Sequence, residues 1–141
     1  MGGGVIHPVQ KGLGLAECEV DISICETNSG GNSVVNIGAG KREKITITTL
    51  DKFVAENRLT RVDFIKADIE GAERDMLRGA ANVLKTFAPK LAICTYHLID
   101  DPETLEKIIK EINPNYMVVH LRHKLFAMVL PDVAANNAER R

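Results

Sequence analysis

Alternation of apolar and polar residues predicts two β-strands in the first third of the chain. In the clearest run, Cys18–Ile24, every second residue is apolar, and Lys44–Thr48 repeats the pattern. A period of two is typical of a strand with one buried face. Val5–Val9 is apolar but contains Pro8, so it is predicted as an edge or terminal strand, followed by a turn at Lys11–Gly14. We expect the two longer strands to form an antiparallel pair.

Beyond Thr48 the pattern changes to strands that alternate with helices. Thr48 and Asp51 stand three residues apart, as in a capping box, and predict a short helix that ends near Asn57. Two mostly apolar runs, Val62–Asp68 and Leu91–Thr95, are predicted as buried strands. Because single helices separate the strands, we expect parallel neighbours joined by right-handed crossovers.

Two further helices are predicted from apolar residues at helical spacing. The first runs from about Met76 to Phe87, and Gly79 inside it costs about 1 kcal/mol relative to alanine. The second begins at Asp101, an N-cap residue followed by proline, and ends at Asn113.

The last two apolar runs, Met117–Leu121 and Leu125–Leu130, lie too close together for a crossover. They are therefore predicted to form an antiparallel hairpin. Residues 131–141 have no periodicity and are expected to be a frayed tail. The fold class that follows is α/β, with a terminal antiparallel β-hairpin.

Composition indicates an ordinary globular domain and excludes several classes of partner. The chain has 141 residues, of which 45% are hydrophobic and 26% charged, and its net charge is −1. This balance excludes the basic surface that nucleic acids or anionic membranes require. Three cysteines without a CxxC spacing favour neither a disulfide framework nor a thiolate zinc site. Without a long apolar run or a signal-peptide pattern, the sequence predicts a cytoplasmic protein.

Candidate chemistry lies where two predicted strands end, because ligands of open α/β sheets bind beyond the carboxyl ends of the strands. Asp68 ends one buried strand, and an aspartate in that position needs a partner or a ligand. His97 follows the next strand, so it would lie on the same rim. A histidine beside a carboxylate can act as a general base or a metal ligand. The alternative for His97 is a purely structural histidine.

Three further residues shape the turn after the first of these strands. Gly71 permits the backbone of a tight strand-to-helix turn. Glu73 falls in the first helical turn, where the helix dipole favours a negative charge. Glu70 is either a second helix-start carboxylate or a residue that faces a ligand. His120–Lys124 is interpreted as a solvated turn, so no metal site is predicted from the histidines.

One glycine pair, Gly38 and Gly40, follows an apolar run and resembles a nucleotide-binding turn. Such a turn needs a helix after it, whereas Lys41–Glu43 leads into a predicted strand, so we do not assign it as a cofactor loop. P-loop, GxSxG and HExxH patterns do not occur. The sequence therefore gives no support for phosphoryl transfer, serine hydrolysis or zincin chemistry.

Four segments of the chain resemble the FkbM-type S-adenosylmethionine-dependent methyltransferases. They are Thr49–Phe53 (TLDKF), Val62–Glu73 (VDFIKADIEGAE), Leu77–Ala80 (LRGA) and Pro89–Ile93 (PKLAI). The DxEGxE motif with its preceding lysine is the most specific of them. The similarity extends to about Leu130, so we interpret residues 1–130 as a partial FkbM-like methyltransferase domain and 131–141 as a tail.

The resemblance implies a Rossmann-like fold and transfer of a methyl group from S-adenosylmethionine to an oxygen. The acceptor in this family is often a hydroxyl of a sugar or natural product. Carried over to this chain, the resemblance places Asp68, Glu70 and Gly71 beside the cofactor and His97 beside the acceptor pocket. Asp68 or His97 would remove the proton from the acceptor.

The first strands of the family, its glycine-rich DxGAN-like loop and the acidic residue that holds the cofactor ribose are not found upstream of Val5. We expect an N-terminally incomplete sheet with an open edge beside the strand that ends at Asp68, and weak or absent activity of the isolated chain. One alternative is a non-catalytic interaction module that pairs with a partner chain or a second copy through this edge. Another is a metal-dependent enzyme built on Asp68, Glu70 and His97.

Overall fold

The computed structural model describes residues 5–24 and 41–130, which form two β-sheets and four helices. The strands are β1 (Gly12–Leu13), β2 (Cys18–Ile24), β3 (Lys41–Thr48), β4 (Phe64–Ala67), β5 (Lys90–Cys94), β6 (Tyr116–Leu121) and β7 (Lys124–Val129). The helices are α1 (Leu50–Glu56), α2 (Glu73–Arg78), α3 (Ala81–Thr86) and α4 (Asp101–Ile112). The Gly38 and Gly40 pair and the 131–141 tail lie outside the described residues. Within those two ranges, no helix has the length and apolar character to cross a membrane.

The first sheet has the strand order β1-β3-β2. β2 and β3 are antiparallel, with Cys18 opposite Ile47, which confirms the predicted pair. The predicted strand at Val5–Val9 and the turn after it are wrong, because β1 forms at Gly12–Leu13 and pairs with β3 in parallel. A Cβ atom on Gly12 would lie 2.4 Å from Cδ1 of Ile47, so a residue without a side chain lets the two strands approach.

The second sheet has the order β4-β5-β7-β6. β4 and β5 are parallel, as the alternation of strands and helices predicts. β6 and β7 form the predicted antiparallel hairpin, and β7 also pairs with β5. The strand that runs antiparallel to its neighbours is therefore β7, which lies inside the sheet, and β6 is the outer strand at that end. Among the strands of residues 5–24 and 41–130, β4 is an outer strand of this sheet.

The helices cover one face of the second sheet. Alternate residues of each strand point into a core shared with α2, α3 and α4, whose most buried members include Leu77, Leu84, Leu91, Ile93, Leu105 and Ile109. Burial of each such side chain contributes about 1.5–3 kcal/mol. The opposite face carries exposed apolar side chains, namely Phe64, Met117, Val119, Phe126 and Met128.

Two helix starts differ from the predictions by one residue. The N-cap of α1 is Thr49 rather than Thr48, and its hydroxyl accepts the N–H of Lys52 at 3.0 Å. The carboxylate of Asp51 accepts the N–H groups at the start of α3, both at 2.9 Å. The N-cap of α4 is Asp100, so Asp101 is the first helical residue instead of the cap.

The single helix predicted from Met76 to Phe87 is wrong, because the chain breaks into α2 and α3 at Gly79 and Ala80. A Cβ atom on Gly79 would lie only 2.0 Å from the carbonyl oxygen of Gly14. Gly79 has an ordinary φ of −73°, so the close approach of the Gly14 backbone, and not conformational freedom, requires glycine here. This contact joins the end of β1 to the helix layer.

We expect Gly79→Ala to lower the free energy of unfolding by roughly 1–3 kcal/mol, because the added methyl group overlaps a backbone oxygen that cannot rotate away. Urea denaturation followed by circular dichroism measures the change. The matched control is Arg78→Ala. Arg78 is exposed and its ion pair with Asp75 is 3.5 Å long, so this change should alter stability by less than about 0.5 kcal/mol. Equal stability of Gly79→Ala and the wild type would contradict the close contact.

Candidate functional site

Asp68 and His97 lie on one rim, at the carboxyl ends of two neighbouring parallel strands. Asp68 directly follows β4, and His97 lies shortly after the end of β5. Ala67 is opposite Ile93 in the register of these strands, so the two segments leave the sheet side by side. Nε2 of His97 lies 3.6 Å from Oδ1 of Asp68. The structure thus brings together the two strand-end residues that the sequence singles out.

The turn between β4 and α2 has an unusual backbone. Glu70 has a φ of 56° and Gly71 a φ of 100°, so two successive residues are in the left-handed region. Glycine adopts this region readily, whereas any other residue incurs a cost of roughly 1–2 kcal/mol. The prediction of a tight turn at Gly71 is confirmed, and the strain is at Glu70.

Glu73 holds this turn closed from the start of α2. Its side chain is 1% exposed. Oε1 accepts the backbone N–H of Ile69 at 2.8 Å, and Oε2 accepts that of Gly71 at 3.0 Å. The N-cap residue Ala72 makes no side-chain hydrogen bond, and the N–H groups that Glu73 accepts belong to the turn before the helix. Glu73 is therefore the helix-start carboxylate that the sequence predicts, and it is buried as well.

His97 is enclosed by three carboxylates. Its side chain is 4% exposed. Nδ1 lies 3.2 Å from Oε1 of Glu73, and Nε2 lies 3.5 Å from Oε1 of Glu70 and 3.6 Å from Oδ1 of Asp68. Among the described residues, neither ring nitrogen has a partner with hydrogen-bond geometry. We call Asp68, Glu70, Glu73 and His97 the His97 cluster.

Asp68 is the more accessible member of this pair of candidate bases. Its side chain is 37% exposed. Burial raises the pKa of Asp68, but hydrogen bonds from Tyr96 and Cys94 outweigh this effect. The positive charge of Lys66 acts in the same direction, so the pKa of Asp68 lies below its ordinary value of 3.8. Asp68 is consequently an ionised acceptor at neutral pH.

Tyr96 and Cys94 contact Asp68, and the sequence analysis assigns no role to either residue. The hydroxyl of Tyr96 donates to Oδ1 of Asp68 at 2.9 Å, and this bond raises the pKa of Tyr96 to about 12. Burial and the bond to Asp68 raise the pKa of the Cys94 thiol. Cys94 ends β5 and Tyr96 stands two residues further, so the period of a strand could have placed both on the side of Asp68.

An ion-pair network fixes the segment that carries His97. Arg74 on α2 donates from Nε to Asp101 at 2.9 Å and from its terminal nitrogen to Asp100 at 2.6 Å. Asp101 is 1% exposed and also accepts the N–H of Leu98 at 2.8 Å. The bond to Arg74 lowers the pKa of Asp100 and raises that of the guanidinium. These contacts tie the loop after β5 to the helix that begins with Glu73.

The other histidines of the second half do not join the cluster. Nε2 of His120 lies 2.7 Å from Oε2 of Glu106 on α4, and its side chain is 37% exposed. The ring of His123 lies 6.0 Å from that of Tyr96, at the edge of the rim. The hairpin segment His120–Lys124 is exposed, in agreement with its interpretation as a solvated turn.

Comparison with known families identifies the chain. Residues 4–127 match the sequence model of the methyltransferase FkbM domain. This chain belongs to the FkbM methyltransferase family. The resemblance inferred from TLDKF and DIEGAE is therefore confirmed, and with it the family of the fold.

A solved structure supports the same fold. The chain is similar to the crystal structure of methyltransferase FkbM from Methylobacillus flagellatus KT, with 24% sequence identity and a TM-score of 0.55. The similarity covers 84% of this chain and 27% of that protein, so the FkbM-family chain spans about a quarter of its relative's length. The mixed α/β architecture agrees with a Rossmann-like methyltransferase fold. No curated protein sequence matches the chain.

We expect the carboxyl of Asp100 to titrate below 3.8 in the folded chain, because Arg74 stabilises its charged form. A depressed pKa means that this contribution to stability is complete above pH 3.8 and is lost as the pH falls through the folded value. Carboxyl NMR titration measures it. Arg74→Gln should move the midpoint toward 3.8, while Asp63, whose pKa is lowered by Arg61, serves as an internal control. An unmoved Asp100 midpoint in Arg74→Gln would show that the ion pair is not formed.

Proposed function

We propose that this FkbM-family chain takes part in the transfer of a methyl group from S-adenosylmethionine to a hydroxyl oxygen of a small molecule, such as a sugar or a natural product. The observation that carries the proposal is the ionised, partly exposed carboxylate of Asp68 at the end of β4, in a chain that belongs to a methyltransferase family. The net charge of −1 favours a small molecule over a nucleic acid or a membrane. We also propose a cytoplasmic location, because three cysteines without a disulfide-like spacing favour a reducing compartment.

Asp68 is the group that would contact the acceptor. Its side chain is 37% exposed, whereas that of His97 is 4% exposed. An acceptor hydroxyl can therefore approach Asp68 from solvent, while His97 lies behind the carboxylates. We assign proton removal to Asp68 and a positioning role to His97, which acts through its contacts with Asp68 and Glu73.

The charges of the rim suit the cationic end of the cofactor. S-adenosylmethionine carries an ammonium and a sulfonium group, and Asp68 and Glu70 present carboxylates that are 37% and 27% exposed. Gly71 has no side chain, so the backbone of this turn is open to close approach by a ligand. The proposed cofactor contacts are therefore Asp68, Glu70 and Gly71.

The chemistry required of the chain is modest. The bound cofactor supplies a methyl group on a positively charged sulfur. Asp68 would hold the acceptor hydroxyl and accept its proton. Tyr96 donates to the same carboxylate at 2.9 Å and fixes its orientation.

We expect S-adenosylmethionine to bind the purified chain, and Asp68→Ala and Glu70→Ala each to weaken binding at least about tenfold, because each removes a negative charge that faces the cofactor. Isothermal titration calorimetry measures both. Asp75→Ala is the matched control, since this carboxylate of α2 is exposed and its ion pair with Arg78 is 3.5 Å long.

Two outcomes would count against the proposal. Absence of binding by a folded, monodisperse wild-type chain would overturn cofactor binding by this chain. Equal affinity of the wild type and both rim variants would remove Asp68 and Glu70 from the cofactor site. Circular dichroism of each variant separates loss of binding from loss of fold.

A second candidate function is a non-catalytic interaction module, and the position of β4 favours it. β4 is an outer strand of its sheet, and Phe64 on this strand is 57% exposed. An outer strand with an apolar side chain is a template for pairing with another strand. In this role the chain pairs with a second copy or a partner chain along β4.

Phe64→Lys tests this role, because a charge on an outer strand opposes pairing. Light scattering coupled to size exclusion should show the mass of the wild type rising with concentration and that of Phe64→Lys remaining monomeric. Ile99→Lys is the control, since Ile99 is fully exposed in the loop after β5 and should not affect pairing. A wild type that stays monomeric at all concentrations would exclude self-pairing through β4.

A further inference from the structure

We propose that Asp68, Glu73 and His97 form a binding site for a divalent transition-metal ion. One possible ligand atom from each of these side chains lies within 4.8 Å of the other two. The three side chains come from the turn after β4, the first turn of α2 and the loop after β5. The fold therefore brings a mixed nitrogen and oxygen donor set to one point of the rim.

The imidazole of His97 is buried without a hydrogen-bond partner among the described residues. Its side chain is 4% exposed, and among the described residues neither nitrogen is hydrogen-bonded. The atoms that face the two nitrogens are carboxylate oxygens at 3.2–3.6 Å. Ionised carboxylates only accept hydrogen bonds, so the unprotonated nitrogen of a neutral imidazole has no donor among them. Glu73 faces Nδ1, whereas Asp68 and Glu70 face Nε2. A cation beside the unprotonated nitrogen, bound to the carboxylate that faces this nitrogen, removes the conflict.

The negative charge of the His97 cluster also favours binding of a cation. Three carboxylates meet at one histidine, and Lys66 is a nearby positive charge that acts on Asp68. Glu73 is 1% exposed, and a buried carboxylate is stable when it is paired or binds a metal. A divalent ion at this point offsets the negative charge of Glu73 and Asp68.

The donor set favours a particular kind of ion. One imidazole and two carboxylates suit Mn²⁺, Fe²⁺ or Zn²⁺ better than the oxygen-only preference of Ca²⁺ and Mg²⁺. Bonds of about 2.0–2.2 Å place tetrahedral ligand atoms about 3.4 Å apart. The three ligand atoms lie within 4.8 Å of one another, so the side chains must move closer together when an ion binds. The exposed part of Asp68 leaves a path for the ion and a position for a further ligand.

The ligands are already oriented by outer contacts, as is usual in metal sites. Glu73 accepts from the backbone of Ile69 and Gly71, and Asp68 accepts from Tyr96. Glu73 thus takes the place that the sequence analysis gives to Glu70 in its metal hypothesis. The metal site shares Asp68 with the proposed acceptor and cofactor contacts. Metal binding requires neither of those ligands, so it is tested separately from methyl transfer.

Binding of Mn²⁺ to the chelator-treated chain tests the proposal. Loss of the free-ion signal in electron paramagnetic resonance should show one bound Mn²⁺ per chain. His97→Gln and Asp68→Asn should each weaken binding at least tenfold, and neither removes the carboxylate that closes the turn. His123→Gln is the matched control, because this histidine lies at the edge of the same rim but outside the His97 cluster. Its affinity should equal that of the wild type.

A second readout locates the ion. Bound Mn²⁺ should broaden the imidazole NMR signals of His97 strongly and those of His120 much less. Absence of binding by the folded chain, or equal affinity of the wild type and both ligand variants, would overturn the site. A His97 ring that is doubly protonated at neutral pH and unaffected by Mn²⁺ would do the same, since protonation alone would then satisfy the His97 cluster.

Discussion

The buried carboxylate of Glu73 is the contact on which the candidate site depends. It accepts the backbone N–H groups of Ile69 and Gly71, which closes the turn after β4, and it faces Nδ1 of His97 at 3.2 Å. A buried carboxylate is stable only with such partners. The closed turn, the start of α2 and the position of His97 therefore depend on one another. The positions of Asp68 and Glu70 follow, because both belong to the turn that Glu73 closes.

The spacing of apolar residues, together with the glycine, proline and capping residues at the ends of segments, predicts the elements that depend on local sequence. The antiparallel β2 and β3, the parallel β4 and β5 and the terminal hairpin are all found at or near the predicted residues. The predictions fail where contact with a distant part of the backbone determines the local structure. β1 forms at Gly12 because β3 comes within contact there, and the helix breaks at Gly79 because the carbonyl of Gly14 lies against it. Neither approach leaves a periodic signal in the sequence.

The candidate site likewise contains some features that local sequence predicts and others that depend on contacts between distant residues. The rim with Asp68 and His97 follows from where two parallel strands end, and Gly71 and Glu73 follow from the rules of helix starts. The hydrogen bond from Tyr96 and the network of Arg74 join loops that are distant in sequence, so local patterns do not specify them. Family membership adds the expected chemistry, whereas the exposure of each carboxylate comes from the structure alone.

The left-handed backbone of Glu70 has a consequence for how this turn balances stability against charge. A glycine at this position would adopt a φ of 56° without the cost of roughly 1–2 kcal/mol that a side chain adds. It would also remove a carboxylate that lies 3.5 Å from His97. Strained residues of this kind cluster at functional sites, where a substitution that stabilises the fold often lowers activity. Position 70 is therefore a point at which the domain is less stable than its own fold allows, in exchange for a charge on the rim.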